Sequence, residues 1–271
     1  MSRPIRIGVQ LSPGGVPDYR TWREAVLHAE ELGTDVIFGY DHFHAPSFAG
    51  IVDAKPIMND IQPDVPNFEG WTALATWGEI TSRAEIGLLV SGIGYRNPDL
   101  LADMARTVDH ISGGRVILGV GAGWYEKDYT TYGYEFGTWT SRFDLFDEGL
   151  LRIDARLAAL NPPAVRDIPI LIGGSGIKRT LPAVARHGDI WHTHLPIELY
   201  REASARLDEL AADFGRAEDA IERSVSWDDE RSADDFVASG ATLFVTETAP
   251  SANGFDFTKL EKMLKWRDNR A

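Results

Sequence analysis

The sequence predicts a single (β/α)8 barrel that spans residues 1–271. Short apolar runs alternate with segments of helical periodicity eight times, which is typical of a parallel sheet covered by helices. A length of 271 residues fits one such barrel, since these barrels typically need about 250 residues. Glycines and polar residues follow several runs, and in a closed barrel those positions surround one mouth. An open doubly wound sheet is the alternative, but it would favour only one switch point.

The predicted strands are short apolar runs bounded by glycine, proline and polar turn residues. In chain order they fall within residues 5–11, 35–38, 84–90, 113–124, 167–172, 189–191, 223–227 and 241–245. A helical segment follows each of them, although this pattern is weakest around the seventh strand. The connection at residues 45–68 is long, polar and without a sustained period, which indicates a functional loop.

The predicted helices carry apolar residues at every third or fourth position and have recognisable ends. Thr21 with Glu24 forms a capping box that predicts the start of the first helix, and Gly33 predicts its end. Asn97 followed by Pro98 predicts the start of the third helix. Asparagine satisfies free N–H groups at that point, and proline is tolerated at the first helical position.

Composition narrows the classes of function. The chain contains no cysteine, which excludes disulfides, thiolate nucleophiles and cysteine-ligated zinc. A formal net charge of −14 argues against a nucleic-acid surface, which needs clustered lysine and arginine. No apolar run approaches the roughly 18 residues of a membrane span, and residues 1–15 lack the features of a signal peptide. We therefore expect a cytoplasmic protein that acts on a small molecule and binds neither nucleic acid nor membrane.

Two glycine-rich turns are candidate ligand sites. The first, at residues 119–124, does not match the dinucleotide fingerprint, because Trp124 occupies a position that requires glycine. Its glycines either admit a ligand or relieve crowding at the barrel rim. The second, at residues 173–176, lies between a strand and a helix and is followed by Lys178 and Arg179. Backbone N–H groups, a hydroxyl and two cations favour a phosphate or phosphodiester there, with a plain tight turn as the alternative.

Histidines mark two further strand ends. His42 follows the second strand beside Asp41, so its imidazole either donates a hydrogen bond or a proton to a ligand or has a structural role. His42 with His44, and His192 with His194, form His-x-His pairs that could bind a metal. Barrel metallohydrolases carry such a pair on the first strand, whereas these pairs follow the second and sixth. We therefore predict no metal site.

Several motifs together resemble a known family. In chain order they are Asp41-His42-Phe43, residues 87–92 with 95–98, residues 109–124, and the turn at 173–174 with residues 188–191. They resemble the luciferase-like monooxygenases, and within that family the branch of deazaflavin (coenzyme F420)-dependent oxidoreductases. The resemblance extends from Ile5 to about His194 and is most specific at residues 109–124.

The resemblance implies a bacterial luciferase-like barrel with the cofactor across its mouth. Asp41 and His42 would be the catalytic residues beside the deazaflavin ring, and a strained or cis peptide would support the ring from behind. The second glycine turn would hold the phosphodiester. The cofactor-binding residues are then Asp41, His42, Val90, Ser91, Gly92, Gly121, Ala122, Gly123, Gly173, Gly174, Ser175, Gly176, Ile177, Lys178, Arg179 and Trp191.

The implied function is hydride transfer between F420 and a small organic substrate, in a barrel that tends to form a homodimer. The alternatives are an FMN-dependent monooxygenase of the same fold, a flavin-binding barrel without enzymatic activity, and a metallohydrolase.

Two departures from the family bear on the substrate. The sugar-phosphate dehydrogenases of the family have a glutamate where this chain has Trp124, which argues against a sugar-phosphate substrate. The segment at residues 161–166 is short, which reduces the cover of the substrate pocket.

Overall fold

Eight parallel strands form a closed barrel in the computed structural model, which describes residues 3–52, 55–61 and 63–270. The strands are β1 (Arg6–Leu11), β2 (Val36–Gly39), β3 (Phe48–Val52), β4 (Lys55–Met58), β5 (Glu85–Leu88), β6 (Ser91–Gly92), β7 (Val116–Gly121), β8 (Ile170–Gly173), β9 (Ile190–Thr193), β10 (Glu222–Ser226), β11 (Ala241–Thr248), β12 (Pro250–Ser251) and β13 (Gly254–Phe255).

Helices surround the barrel on its outer face. They are α1 (Tyr19–Glu31), α2 (Gly70–Ile80), α3 (Pro98–Ser112), α4 (Glu126–Thr131), α5 (Trp139–Ala159), α6 (Thr180–His187), α7 (Ile197–Asp213), α8 (Glu230–Ala238) and α9 (Thr258–Asp268). Within the described residues, none of them is long and apolar enough to cross a membrane.

The order of strands around the barrel is β1, β2, β5, β7, β8, β9, β10 and β11, after which β11 pairs with β1. The pairing of β5 with β7, which aligns Ile86 with Val116, closes the ring. This closure confirms the predicted barrel and rules out the open sheet. The eight predicted strands are all present, and α8 follows β10 where the sequence pattern was weakest.

Alternating side chains divide the strands between two cores. The interior of the barrel is filled by Val36, Phe38, Ile117, Leu171, Ile190, Leu243 and Val245. Residues between them on the same strands, such as Ile37, Leu118 and Ile172, pack against the helices. The interior is so crowded that a β-carbon at Gly119 would lie 2.0 Å from the carbonyl oxygen of Leu88. Glycine is therefore required at position 119.

The ends of two helices test the predicted caps. Asn97 caps α3, and Pro98 is its first residue, as the sequence predicts. The predicted capping box of α1 is wrong, because the helix begins earlier and Asp18 caps it by accepting a hydrogen bond from the N–H of Thr21. An aspartate satisfies these free N–H groups as well as a threonine does, so the earlier cap is used.

Two connections contain elements that the sequence did not predict. β3 and β4 pair as an antiparallel hairpin within residues 45–68. Phe48 of this hairpin contacts Trp124, with ring centroids 5.6 Å apart, so the hairpin approaches the mouth of the barrel. The other element, α4, follows β7 and is too short to show a helical period. It carries Asp128, which proves central to the site.

Ion pairs close the opposite end of the barrel. Arg6 contacts Glu85 and Glu222, and Arg166 also contacts Glu85. Burial lowers the pKa of Arg6, but the two carboxylates more than offset this effect and raise it. Glu85 and Glu222 therefore each have a charged partner.

Candidate active site at the barrel mouth

A buried aspartate on α4 fixes the histidines that follow β2. The Nδ1 atom of His42 lies 2.7 Å from Oδ2 of Asp128, and Nδ1 of His44 lies 2.8 Å from Oδ1. The Tyr95 hydroxyl donates a hydrogen bond to Asp128, as do the backbone N–H groups of Phe43 and His44. One fully buried carboxylate thus orients both imidazoles.

The charge of Asp128 determines which His42 nitrogen is available. Burial opposes ionisation of Asp128, but hydrogen bonds from His42, His44 and Tyr95 outweigh it and hold the pKa of Asp128 below its ordinary value. A carboxylate only accepts hydrogen bonds, so Nδ1 of His42 carries the proton. Nε2 of His42 is then the atom left for a ligand. Asp128 would also stabilise an imidazolium formed at His42.

Asp41 is held in an ion pair behind His42. Arg96 contacts both oxygens of Asp41, at 2.5 and 2.9 Å, and it also contacts Glu69. Burial lowers the pKa of Arg96, but the two carboxylates more than offset this and raise it. The side chain of Asp41 is fully buried. The geometry therefore favours a positioning role for Asp41, beside the imidazole of His42.

Val90 rests over glycine positions of β7 and β8. The peptide bond between Leu89 and Val90 is cis, as the resemblance implies for this segment. β-carbons at Gly119, Gly121 and Gly173 would lie 3.3, 2.9 and 3.4 Å from the Val90 side chain. We call these four residues, Val90 and the three glycines, the glycine shelf. The Val90 side chain thus occupies the space that side chains at these three glycines would need.

The other residues predicted to contact the cofactor ring or the cofactor side chain lie next to the glycine shelf. The hydroxyl of Ser91 accepts a hydrogen bond from Nε1 of Trp71 at 2.9 Å, and β6 pairs with the end of β7. Ala122 is half-buried at the same end. Gly123 has a positive φ of 79°, and a β-carbon there would lie 2.0 Å from the Tyr129 hydroxyl. At these positions a ligand would contact the protein backbone.

The second glycine turn leads from β8 into α6. Gly174 has a positive φ of 127°, and its carbonyl accepts a hydrogen bond from Nε1 of Trp191 at 2.8 Å. Residues 175–177 complete the turn, and α6 begins without a side-chain cap. In its first turn Pro182 has no N–H group, and the N–H groups of Leu181 and Ala183 donate to the carbonyls of Gly176 and Arg179. The donors left for an anion are therefore those of the turn itself. Lys178 is exposed beside it. Arg179 contacts two aspartates of α5, at 2.8 and 2.7 Å, so its charge is partly neutralised.

His192 on β9 and His194 directly after β9 lie on the same side of the chain as Ile190, which faces the barrel interior. Nδ1 of His192 lies 2.8 Å from the Ser224 hydroxyl, and Nδ1 of His194 lies 2.5 Å from the Ser226 hydroxyl. Burial lowers the pKa of both imidazoles. Nε2 of His192 is buried without a hydrogen-bond partner among the described residues. Nowhere in the described ranges do three His, Asp or Glu side chains group as a metal site.

The structure brings most predicted site residues to one mouth, since the ends of β2, β6, β7 and β8 lie side by side. Trp191 is placed differently: it stacks on Tyr200 outside the barrel and touches the site through the carbonyl of Gly174. Asp128 is the main residue that the sequence did not predict. Its position four residues after Trp124, in the connection that follows β7, was the available signal.

The fold and the site together define a parallel barrel that carries an oriented imidazole, a glycine shelf and a glycine-rich turn at its mouth. The profile of the luciferase-like monooxygenases matches residues 1–233, and the chain belongs to this family.

Individual proteins agree with this assignment. A Mycobacterium tuberculosis protein, provisionally named as a coenzyme F420-dependent oxidoreductase, is 27% identical over 228 residues, which cover 73% of this chain and 56% of the relative. This chain thus spans little more than half of that relative. An F420-dependent secondary alcohol dehydrogenase in complex with an F420-acetone adduct has a TM-score of 0.78 at 15% identity, covering 93% of this chain and 96% of that one.

The fold also occurs with FMN. The oxygenating constituent of 3,6-diketocamphane monooxygenase from Pseudomonas putida, solved in complex with FMN, has a TM-score of 0.62 at 15% identity. The match covers 83% of this chain and 67% of that one. At this identity the two structures show a shared fold.

Proposed function

We propose that the protein is an oxidoreductase that transfers a hydride between coenzyme F420 and a small organic substrate. The observation that carries this proposal is the contact of 2.7 Å that fixes His42 against Asp128 and leaves Nε2 for a ligand at the mouth. The M. tuberculosis relative and the alcohol dehydrogenase, both named for F420, support the choice of cofactor.

The residues fit a flat ring with an anionic tail. On the glycine shelf, a side chain at Gly121 would collide with Val90 and push it towards the mouth, so glycine at this position allows Val90 to present a low surface to a planar ring. The backbone N–H groups of the turn at residues 175–177, together with Lys178, suit a phosphodiester. We therefore assign the ring to the glycine shelf and the phosphodiester to residues 173–178.

Bound F420 would supply the hydride chemistry, and the residues of this chain would handle the proton. When an alcohol is oxidised, its hydroxyl proton passes to Nε2 of His42 as the carbon loses a hydride. Nδ1 remains hydrogen-bonded to Asp128, which stabilises the imidazolium. In the reverse direction Nε2 returns this proton to the carbonyl oxygen. Asp41 and Arg96 hold the segment that carries His42.

An FMN-dependent monooxygenase is the second candidate. The FMN-bound structure of the same fold favours it, because a phosphate monoester also suits the turn at residues 173–178. Titrations of the protein with F420 and with FMN, followed by cofactor fluorescence, separate the two. The proposal expects saturable F420 binding. Tight FMN binding without F420 binding would replace it with the second candidate.

We further propose that the enzyme is a homodimer, that it acts on small molecules, and that it is located in the cytoplasm. The family resemblance supports the dimer, and the acidic charge of −14 fits a partner other than nucleic acid. Sedimentation equilibrium over a range of protein concentrations tests the dimer. A single species at the monomer mass of 30.0 kDa would contradict it.

A further inference from the structure

His192 on β9 carries a buried hydrogen-bonding atom that lacks a partner. Only 3% of the surface of this residue is exposed, and its Nε2 atom forms no hydrogen bond with any residue in the described ranges. The other ring nitrogen, Nδ1, lies 2.8 Å from the hydroxyl oxygen of Ser224 on β10. Most buried polar atoms in proteins are paired, so an unpaired one needs a physical reason. A ligand that reaches Nε2 would supply the missing partner.

The contact with Ser224 indicates that Nε2 of His192 carries a proton. If the Ser224 hydroxyl donates to Nδ1, the Nε2–H group is the one group of the pair that stays unpaired. In the other tautomer, both the hydroxyl proton and the lone pair of Nε2 would lack a partner, because Ser224 has no second partner among the described residues. Burial lowers the pKa of His192, which keeps the imidazole neutral. His192 therefore offers one uncharged N–H donor.

His192 lies at the edge of the glycine shelf. Leu171 and Ile190 face the barrel interior, and the alternation of side chains puts Gly173 and His192 on that same face of β8 and β9. The parallel register pairs Gly173 directly with His192. A ligand that lies flat over Val90 and Gly173 would therefore have one edge next to the imidazole.

His194 lies between His192 and the open mouth. It follows two residues later on the same face, and the two imidazole rings pack edge-to-face with centroids 4.9 Å apart. His194 is exposed, and it lines a cavity of about 340 Å³ between the ends of β9 and β10 and the helices α7 and α8. Its hydrogen bond with Ser226 is also exposed, so water can replace that bond. The His194 ring thus has room to move aside and open a path to Nε2 of His192.

We propose that His192 is a cofactor-binding residue whose Nε2–H group donates a hydrogen bond to a carbonyl oxygen on the edge of the flat ring over the glycine shelf. The proposal rests on the proposed function, because the ring is the one assigned to that site. The rings of F420 and FMN both carry carbonyl oxygens, so His192 would serve either cofactor. In the free protein the unpaired donor costs stability, and the bound ring removes that cost.

The test removes both members of the His192 and Ser224 pair. The double variant His192→Phe/Ser224→Ala replaces them with apolar groups and leaves no unpaired polar atom at either position. His192→Gln is the conservative variant, because its amide can place an N–H group near the position of Nε2. Thr193→Val is the matched control, since Thr193 is buried on the same strand but faces the helices, as Trp191 does.

Two quantities are measured on the full-length proteins. Fluorescence titration gives the dissociation constants of F420 and of FMN, and urea unfolding without cofactor gives the stability. We expect the double variant to bind cofactor about three- to tenfold more weakly than wild type, and His192→Gln and Thr193→Val to bind it within about twofold of wild type. Without cofactor, the double variant should be at least as stable as wild type, because it no longer buries an unpaired donor.

A purely structural His192 predicts the opposite pattern. Stability would fall in the double variant while both dissociation constants stayed at their wild-type values, and this result would overturn the proposal.

Failure of the proposed function has a separate signature. If FMN binds and F420 does not, and the double variant weakens FMN binding, the choice of F420 is wrong while the role of His192 stands. If F420 binds wild type and the double variant equally, the role of His192 is wrong while the proposed function stands. A wild-type protein that binds neither cofactor would overturn both.

Discussion

The Nδ1 atom of His42 lies 2.7 Å from the Oδ2 atom of Asp128, a contact that joins residues 86 positions apart in the chain. It connects the end of β2 to α4, the short helix after β7. The position of the imidazole therefore depends on a loop helix as well as on its own strand.

Replacing Asp128 with asparagine should impair catalysis much more than cofactor binding. Asparagine can present its amide N–H to His42, which would favour the tautomer with the proton on Nε2, and it carries no charge to stabilise an imidazolium. We expect kcat to fall by about 100-fold or more, with the dissociation constant of F420 little changed. Glu126→Gln on the same helix, at an exposed position, is the control. Equal kcat values for Asp128→Asn and wild type would contradict the assigned role.

Asp128 should also make stability depend on pH in a defined range. Its pKa in the folded protein lies below the ordinary value of 3.8, so the unfolded chain binds the proton more readily. The stabilisation is therefore complete above about pH 5 and is lost as pH falls through the folded-state pKa. Urea unfolding should show wild type to be about 1–3 kcal/mol more stable than Asp128→Asn at pH 7, and the difference should shrink at pH 3. A difference that grows towards acid pH would be inconsistent with this account.

Two glycines of the glycine shelf should respond differently to alanine. A β-carbon at Gly119 would lie 2.0 Å from a backbone oxygen, so Gly119→Ala should destabilise the fold by about 3 kcal/mol or more, or prevent folding. A β-carbon at Gly173 meets Val90 at 3.4 Å, an ordinary contact. Gly173→Ala should fold with nearly wild-type stability and bind F420 about tenfold more weakly, because it raises the glycine shelf. Denaturant unfolding measures the effect on stability, and fluorescence titration measures the effect on F420 binding. If Gly173→Ala binds F420 as strongly as wild type does, the cofactor ring does not lie on the glycine shelf.

Lys178 should contribute more to cofactor binding than Arg179. Lys178 is exposed next to the turn, whereas Arg179 contacts two aspartates of α5. Lys178→Ala should weaken F420 binding by about three- to tenfold and reduce its salt dependence, while Arg179→Ala should have a smaller effect. Lys265→Ala, on α9, is the control for loss of one positive charge. The reverse order of the two effects would require Arg179 to leave its aspartates for the ligand.

The barrel could be predicted from the sequence because its eight βα units each carry a local signal. Asn97 and Pro98 mark the start of α3 within two residues, and the apolar runs of β7 and β8 are unmistakable. The predicted cap of α1 was wrong because Asp18 offers a second cap three residues earlier, which places Thr21 inside the first turn of the helix. Such local competition is not visible in a periodic pattern.

The candidate site could be predicted only in part. His42 and the glycine turns follow strand ends, and the barrel rule places strand ends together. Asp128 was missed because its role depends on which distant groups it faces. It lies on a helix of six residues, and its contact with His42 arises only when β2, β5 and β7 lie side by side in the barrel.

The central claim is that His42, held by Asp128, moves the proton during F420-dependent hydride transfer. Its most direct test is single-turnover reduction of protein-bound F420 by a panel of small primary and secondary alcohols, with wild type and His42→Ala. The account predicts reduction by at least one alcohol, a rate about 100- to 10,000-fold lower in His42→Ala, and equal F420 binding by both proteins. Equal rates in the two proteins, or no F420 binding where FMN binds tightly, would contradict it.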